Sequence, residues 1–336
     1  MHNSFILFCA LNAVKGMVIK MKKLLALLMA AVMVISLAAC TPAPEEPENV
    51  PREPVTPAPA PALVGNYTLT AEYLPFDAPI INDVSGAPDM DVLGNNVYIS
   101  NGDTEVKIYT LDGSALTYVK SVTVDDTGDS ISVDGSGKIY ADGGVFEATI
   151  YDPETGAKGE AVASGELTAS KNADFALAYF TGNEAITAIT GGAAAPWNLD
   201  GAPNVGKYES ISTIEIVGDT VLLAGADAEN NIIGAYDISG NRQMLSSGSL
   251  AGSLPTAATK TANGYVSSSV SDMTFVNAEG AIIGEVDAKE LFGISDNSVW
   301  IYEMTALPEG GFLALAQVYK SGVDGDEIVL FKVSGF

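Results

Sequence analysis

Two independent sequence markers recur about every 43 residues between Leu63 and Phe336. The first is a turn residue followed by an apolar pair in a run of small residues. Its leading apolar positions are Val97, Ile139, Phe175, Val221, Tyr265 and Phe312, separated by 42, 36, 46, 44 and 47 residues. The second is an aromatic or apolar run that ends in a tight turn, as in 106–113 (VKIYTLDG), 148–152 (ATIYD) and 233–237 (IGAYD). It returns at 273–276 and 328–331, and as a degenerate copy at 185–189 before Gly191-Gly192. The intervening chain reads as short β-type runs cut by Gly, Asn and Asp. No helical spacing of apolar residues lasts beyond about ten residues, and the best helical candidate, 287–292, is short. Two markers in step define a repeating unit of short strands and point to an all-β chain.

A unit of about 40–45 residues holding four strands has the length of one propeller blade. The pattern is similar to the wider β-propeller class, including NHL-type and WD-type repeats, and 133–142 (VDGSGKIYAD) is the copy nearest an NHL-type blade. No Trp-Asp pair ends the repeats. The resemblance implies a six-bladed β-propeller over residues 63–336, with seven blades as the alternative. The last repeat stops after its third strand, which would leave an unpaired Ile-Val-Leu-Phe edge prone to aggregation. The strand-like run 67–73 (YTLTAEY) precedes the first full repeat. Residues 66–74 are therefore expected to pair with 327–333, so that an N-terminal strand closes the last blade.

Upstream of the repeats the chain changes character. Residues 21–39 have a charged start (Lys22, Lys23), an apolar stretch and small residues at the end, which is the order of a secretory signal peptide. The apolar run is shorter than the roughly 20 residues a membrane span needs. The ending Leu37-Ala38-Ala39-Cys40 resembles a bacterial lipobox. That resemblance implies cleavage between Ala39 and Cys40, a diacylated Cys40, and a protein anchored in the cell membrane and facing away from the cytoplasm. Residues 1–20 then read as a spurious upstream extension, with Met21 as the start. Residues 40–62 comprise the lipidated cysteine and a linker with eight prolines in 41–62. Proline favours extended polyproline II at about 3.1 Å per residue, so this stretch reads as a spacer of roughly 70 Å.

The four lysines of residues 1–39 leave with the signal and no acid does, so the remaining chain has 12 basic and 42 acidic residues, a formal charge of −30. Such a surface repels nucleic acid, which needs clustered Lys and Arg to neutralise phosphate. The single histidine, His2, and the second cysteine, Cys9, both lie upstream of Cys40. Ser-His-Asp and Cys-His nucleophiles, disulfides and His/Cys zinc sites are thereby excluded from the mature chain. No cofactor is expected. Calcium is the one ion the carboxylates could hold, because it takes six to eight oxygen ligands. The loops 125–129 (DDTGD) and 324–327 (DGDE) are candidates, although turn chemistry also accounts for their Asp-Gly pattern.

In a propeller the loops after each second strand share a face with the connections between blades. This puts Asp103, Glu105, Asp142, Glu184, Asp227, Glu229, Asp272, Asp324 and Asp326 on one rim, as solvated loop charge or as a ligand surface. Asp89 and Asp91 are the acids assignable to a first strand, where a calcium-dependent propeller hydrolase or lactonase would hold its ion. Trp197 is expected either as a cap packed on the third repeat or as an exposed aromatic contact for a ligand. Trp300 is expected in the core, as are Tyr109, Tyr151 and Tyr236. The function expected from these features is a monomeric, non-catalytic binding platform on the cell envelope for an extracellular protein or glycan. The calcium-dependent hydrolase and an extracellular solute-binding lipoprotein are the alternatives.

Overall fold

The computed structural model describes residues 54–336 except 83–86, 103, 125–129, 142–147, 164, 181–185, 198–208, 227–228, 239–243, 251–253, 295–297 and 321–324. The signal-like segment, Cys40 and the first part of the proline-rich stretch lie outside the described residues. Three short strands precede the repeats: β1 (Ala62–Val64), β2 (Tyr67–Tyr73) and β3 (Ile80–Asn82). Blade one then holds β4 (Asp89–Leu93), β5 (Asn96–Ser100), β6 (Glu105–Asp112) and β7 (Ala115–Thr123). Blade two holds β8 (Ile131–Val133), β9 (Ile139–Ala141), β10 (Ala148–Tyr151) and β11 (Lys158–Ala163), and blade three β12 (Glu166–Ala169), β13 (Ala176–Tyr179), β14 (Ile186–Thr190) and β15 (Ala193–Pro196). Blade four holds β16 (Ser210–Val217), β17 (Thr220–Ala226), β18 (Asn231–Asp237) and β19 (Met244–Leu250), and blade five β20 (Ala257–Lys260), β21 (Gly264–Ser269), β22 (Asp272–Asn277) and β23 (Ile282–Asp287). A helix, α1 (Ala288–Phe292), leads to blade six, made of β24 (Ser298–Ala306), β25 (Phe312–Tyr319) and β26 (Asp326–Ser334).

Each blade is an antiparallel meander in chain order. The first strand of every blade touches the first strand of the next, and β24 returns to β4. Six inner strands thus close a ring around an axial channel, and the chain is a six-bladed β-propeller. Sequence pattern follows position. Second strands such as β17 and β25 are buried on both faces between neighbouring blades and read as continuous apolar runs. Outer strands such as β7 expose most of their residues. Among the described residues the apolar core falls into six clusters, one at each junction between blades. Tyr98, Ile108, Ile131 and Ile139 join blades one and two, Tyr140 and Leu167 two and three, and Leu177 and Val221 three and four. Leu222 and Tyr265 join four and five, Phe275 and Phe312 five and six, and Leu313 and Ile99 six and one. Tyr109, Tyr151 and Tyr236 are buried in these junctions as their spacing predicted.

The last blade closes as expected, in two pieces. Residues 70–73 of β2 pair with 334–331 of β26, the N–H of Leu74 donates to Leu330 O at 2.9 Å, and β3 pairs with residues 326–328. Leu69 and Leu74 are fully buried, each contributing about 1.5–3 kcal/mol of transfer free energy. Tyr73 and Phe292 pack on Phe331 with ring centroids 5.5 and 4.0 Å away. The strand that opens the domain therefore seals the ring through the same apolar contacts that hold the other blades.

The edge of the propeller lies earlier than residue 63. The N–H of Val55 donates to Glu327 Oε2 at 2.9 Å, that of Ala58 to Gly293 O at 3.3 Å and that of Ala60 to Leu291 O at 3.2 Å. The end of the proline-rich stretch is thus a docked strap. Prolines alternate with residues whose N–H groups are free to bond, and those groups find the C-terminal carbonyls of α1. The helix is capped at its start by Asp287, which accepts from Lys289 N, and at its end by Gly293 in the left-handed region at φ 66°.

Candidate functional site

The inner edge of each first strand has no fifth strand to bond, so its N–H and C=O groups need side-chain partners. Blades one to three supply them. Asp89 accepts from Met90 N at 2.7 Å and from Ile131 N, on the next blade, at 2.6 Å. Asp91 accepts from Val92 N at 2.6 Å, from Ser132 Oγ at 2.9 Å and from Val133 N at 2.6 Å. Lys171 Nζ donates both to Asp91 and to the Val133 carbonyl. The chain of bonds continues as Ser130 Oγ accepts from Leu167 N, Ser132 Oγ from Ala169 N, and Thr168 Oγ1 from Ile216 N at 3.1 Å. Thr305 Oγ1 donates to Met90 O at 3.5 Å, joining blade six to blade one. Asp89 and Asp91 are therefore stitches between blades.

Blades four to six face the channel differently. Glu215 of β16 turns its Oε2 into a buried position without a hydrogen-bond partner. The Thr259 hydroxyl of β20 and the Ala306 N–H both favour the charged form of Glu215. Thr259 is itself fully buried and its Oγ1 is unpartnered. Burial raises the Glu215 carboxyl to about 8, with the Asp91 charge adding and Lys171 opposing. Glu303 of β24 is held well above the usual carboxylate range by burial and by Asp89, Glu215 and Asp91 around it, although it accepts from Met304 N at 2.9 Å. Burial takes Asp89 to about 7 despite its two backbone bonds, with Asp91 and Glu166 adding to the rise. Every cause has the same root: several carboxyls share one poorly solvated channel.

The channel has a volume of about 1200 Å³, and its mouth is ringed by Leu254, Val270, Trp300, Tyr302 and Gln317. A bulge between Ile301 and Glu303 adds one residue to β24, so that Tyr302 and Glu303 both follow Trp300 onto the channel side. Trp300 is 50 % exposed and stacks on Tyr302 at a centroid distance of 6.5 Å. This corrects the expectation that Trp300 is core. Its neighbours Val299 and Ile301 are buried, and it occupies the alternate face that a first strand turns to the channel. Gln317 Nε2 donates to Asp326, which leaves Gln317 Oε1 buried and unpartnered.

Val270 is the strained residue of this mouth. Two-residue hairpins in this fold begin with glycine, as at Gly94 and Gly218 with φ 60° and 61°. The hairpin between β21 and β22 places Val270 there at φ 62°, where a β-branched side chain is a rare outlier. Its carbonyl accepts from Ile301 N at 2.8 Å, and its side chain is 36 % exposed to the channel. Strain of this kind concentrates at binding sites, where a particular side chain is required despite its backbone.

Of the rim acids expected from sequence, Asp103, Asp142, Glu184, Asp227 and Asp324 lie outside the described residues, as does the loop 125–129. Asp272 is exposed at the start of β22, opposite Asp287. Asp326 does not itself line the channel but accepts from Gln317 Nε2, which does. Trp197 is 3 % exposed and packed with Leu177, Tyr179 and Ile214 between blades three and four, so it offers no aromatic contact to a ligand and corresponds to the cap alternative. Among the described residues, no three acids approach closely enough to hold a metal ion. Glu166, Glu215 and Glu303 were missed from sequence. The repeat itself carries a signal for them: Glu215 stands six residues before the apolar marker of its blade, as Asp91 and Thr259 do, and Glu166 and Glu303 each stand nine before theirs.

No protein-family model matches the chain and no curated protein matches it. Among solved structures it is similar to the WD40 β-propeller domain of Doa1, with a TM-score of 0.48 and 11 % sequence identity, over 79 % of this chain and 97 % of that one.

Proposed function

We propose that this protein is a non-catalytic binding platform on the outer side of a cell membrane, held by a lipid on Cys40, and that it binds its partner at the channel mouth. The observation that carries this reading is the mouth itself: Trp300 half exposed and stacked on Tyr302 over a channel of about 1200 Å³, beside the strained Val270. Large exposed aromatics at a concave site are what recognition surfaces are made of. The calcium-dependent hydrolase draws less support. The two acids it would need, Asp89 and Asp91, already accept five hydrogen bonds from the protein besides the Lys171 ammonium. An extracellular protein or glycan remains the partner class.

The test uses the full chain, expressed with its signal in a bacterium. Labelled palmitate is expected on the wild type and absent from Cys40→Ala, which should leave the membrane fraction. A photo-crosslinking amino acid at position 300 should then capture an envelope component from intact cells, while the same group at Tyr118, exposed on the outer strand β7, should not. Equal capture from both positions, or an unlabelled wild type, would overturn the reading.

A further inference from the structure

Among the described residues three buried side-chain atoms near the channel lack partners; the two that line it are acceptors, and the third is the Thr259 hydroxyl behind them. Glu215 Oε2 and Gln317 Oε1 are buried acceptors without donors. The neighbouring carboxyls of Asp89, Asp91, Glu166 and Glu303 also face the channel, and the only cationic side chain lining it among the described residues, Lys171, is already committed to Asp91 and the Val133 carbonyl. At the mouth, Trp300 and Tyr302 present ring faces, which carry partial negative charge. Acceptors, carboxylates and π-faces together fit a donor that is positive and slender enough to pass an aromatic rim.

From this convergence we infer that the channel mouth between blades four and six binds a primary alkylammonium, with the alkyl stem along Trp300 and Tyr302 and the NH₃⁺ directed to Glu303, Glu215 and Gln317. The inference deepens the proposed platform and rests on it. Aromatic rings attract such a cation most strongly when it is desolvated, and a carboxylate in the same low-dielectric space gives the bond that a surface pair lacks. A carboxylate or phosphate ligand would find no uncommitted cation among the described lining residues, since Lys171 is held by Asp91. Binding should also be linked to protons. Glu215 faces Asp91, Glu303, Lys171 and Thr259, and Glu303 faces Asp89, Asp91 and Glu215. A cation among them favours their charged forms, so each binding event expels protons to the buffer.

The alkylammonium could belong to a free polyamine or to a lysine side chain of a peptide, and calorimetry on the full-length protein in detergent separates them. The probes are spermidine and a capped tetralysine peptide, with a capped tetraglutamate peptide and calcium chloride as controls. Saturable binding of at least one amine is expected at pH 8, with an enthalpy that differs between buffers of different ionisation enthalpy and an affinity that falls towards pH 6. Trp300→Ala and Glu215→Gln should each weaken it by about tenfold, while Glu279→Gln, on an exposed turn, should leave it unchanged. Binding of spermidine alone assigns the site to a free polyamine, and binding of tetralysine alone to a peptide. Failure of both amines to bind, or binding indifferent to Trp300→Ala and Glu215→Gln, would overturn the inference. If crosslinking from position 300 persists on cells in that case, the platform stands and only its ligand class has failed.

Discussion

The two halves of the channel wall are both lined by first strands, and hydroxyls stitch blades in both, as Thr305 does to Met90 O, yet their carboxyls differ in how they find partners. In blades one to three the carboxylates and hydroxyls of the inner strands are consumed by the N–H groups of the next blade, from Asp89 and Asp91 through Ser132 to Thr168. In blades four to six Glu215, Thr259 and Gln317 keep unpartnered atoms, Trp300 faces out and Val270 occupies a glycine conformation. A buried unsatisfied group costs about 1–3 kcal/mol, and a strained φ about as much. Such costs persist where a side chain is kept for something other than folding. The contrast separates the acids that hold the ring together from the acids that face a partner.

The sharpest way to break this contrast is Asp91→Ala. It leaves three donors, Val92 N, Ser132 Oγ and Val133 N, without their acceptor and Lys171 without its carboxylate, so stability should fall by about 3–5 kcal/mol, measured by urea unfolding. A second handle is pH. Unfolded carboxyls titrate near 4, whereas the folded Asp89 and Glu215 carboxyls titrate at about 7 and 8. Between those values the folded state binds more protons, so stability should decline as pH rises from about 4 to about 8. Glu215→Gln should flatten that decline and raise Tm at pH 8.5 by about 2–4 °C, as thermal scans across pH would show. Val270→Gly should relieve the left-handed strain and stabilise by about 1 kcal/mol, while weakening amine binding in the titration. Trp300→Ala should change stability least, by under about 0.5 kcal/mol, because its ring packs on no buried core.

Much of the fold could be read from the chain because its strongest signals are packing signals. Val97, Val221 and Phe312 sit on second strands buried from both sides, so their apolar character cannot drift and the repeat stays visible. The closing strand was legible for a related reason: an Ile-Val-Leu-Phe edge demands a partner, and 67–73 is the longest strand-like run ahead of the first repeat. The site was less legible. A single glutamate between isoleucines, as at Glu215, does not announce that its strand borders a channel. The bulge at Tyr302 that turns Glu303 inward breaks the two-residue period that strand reading depends on. Trp300 read as core because its strand is apolar, and only the ring of six first strands gives that residue a wet face. Asp89 and Asp91 stood out correctly as inner-strand acids, but their oxygens are engaged in joining blade one to blade two.

The division of the channel into a stitched half and a receptive half is tested most directly by melting Asp91→Asn and Glu215→Gln side by side with the wild type at pH 8.5. Both changes remove one carboxyl from the same channel. Opposite shifts are expected, with Asp91→Asn melting several degrees lower and Glu215→Gln melting higher. Parallel losses of stability would mean that Glu215 holds the ring together as Asp91 does, and would contradict the account.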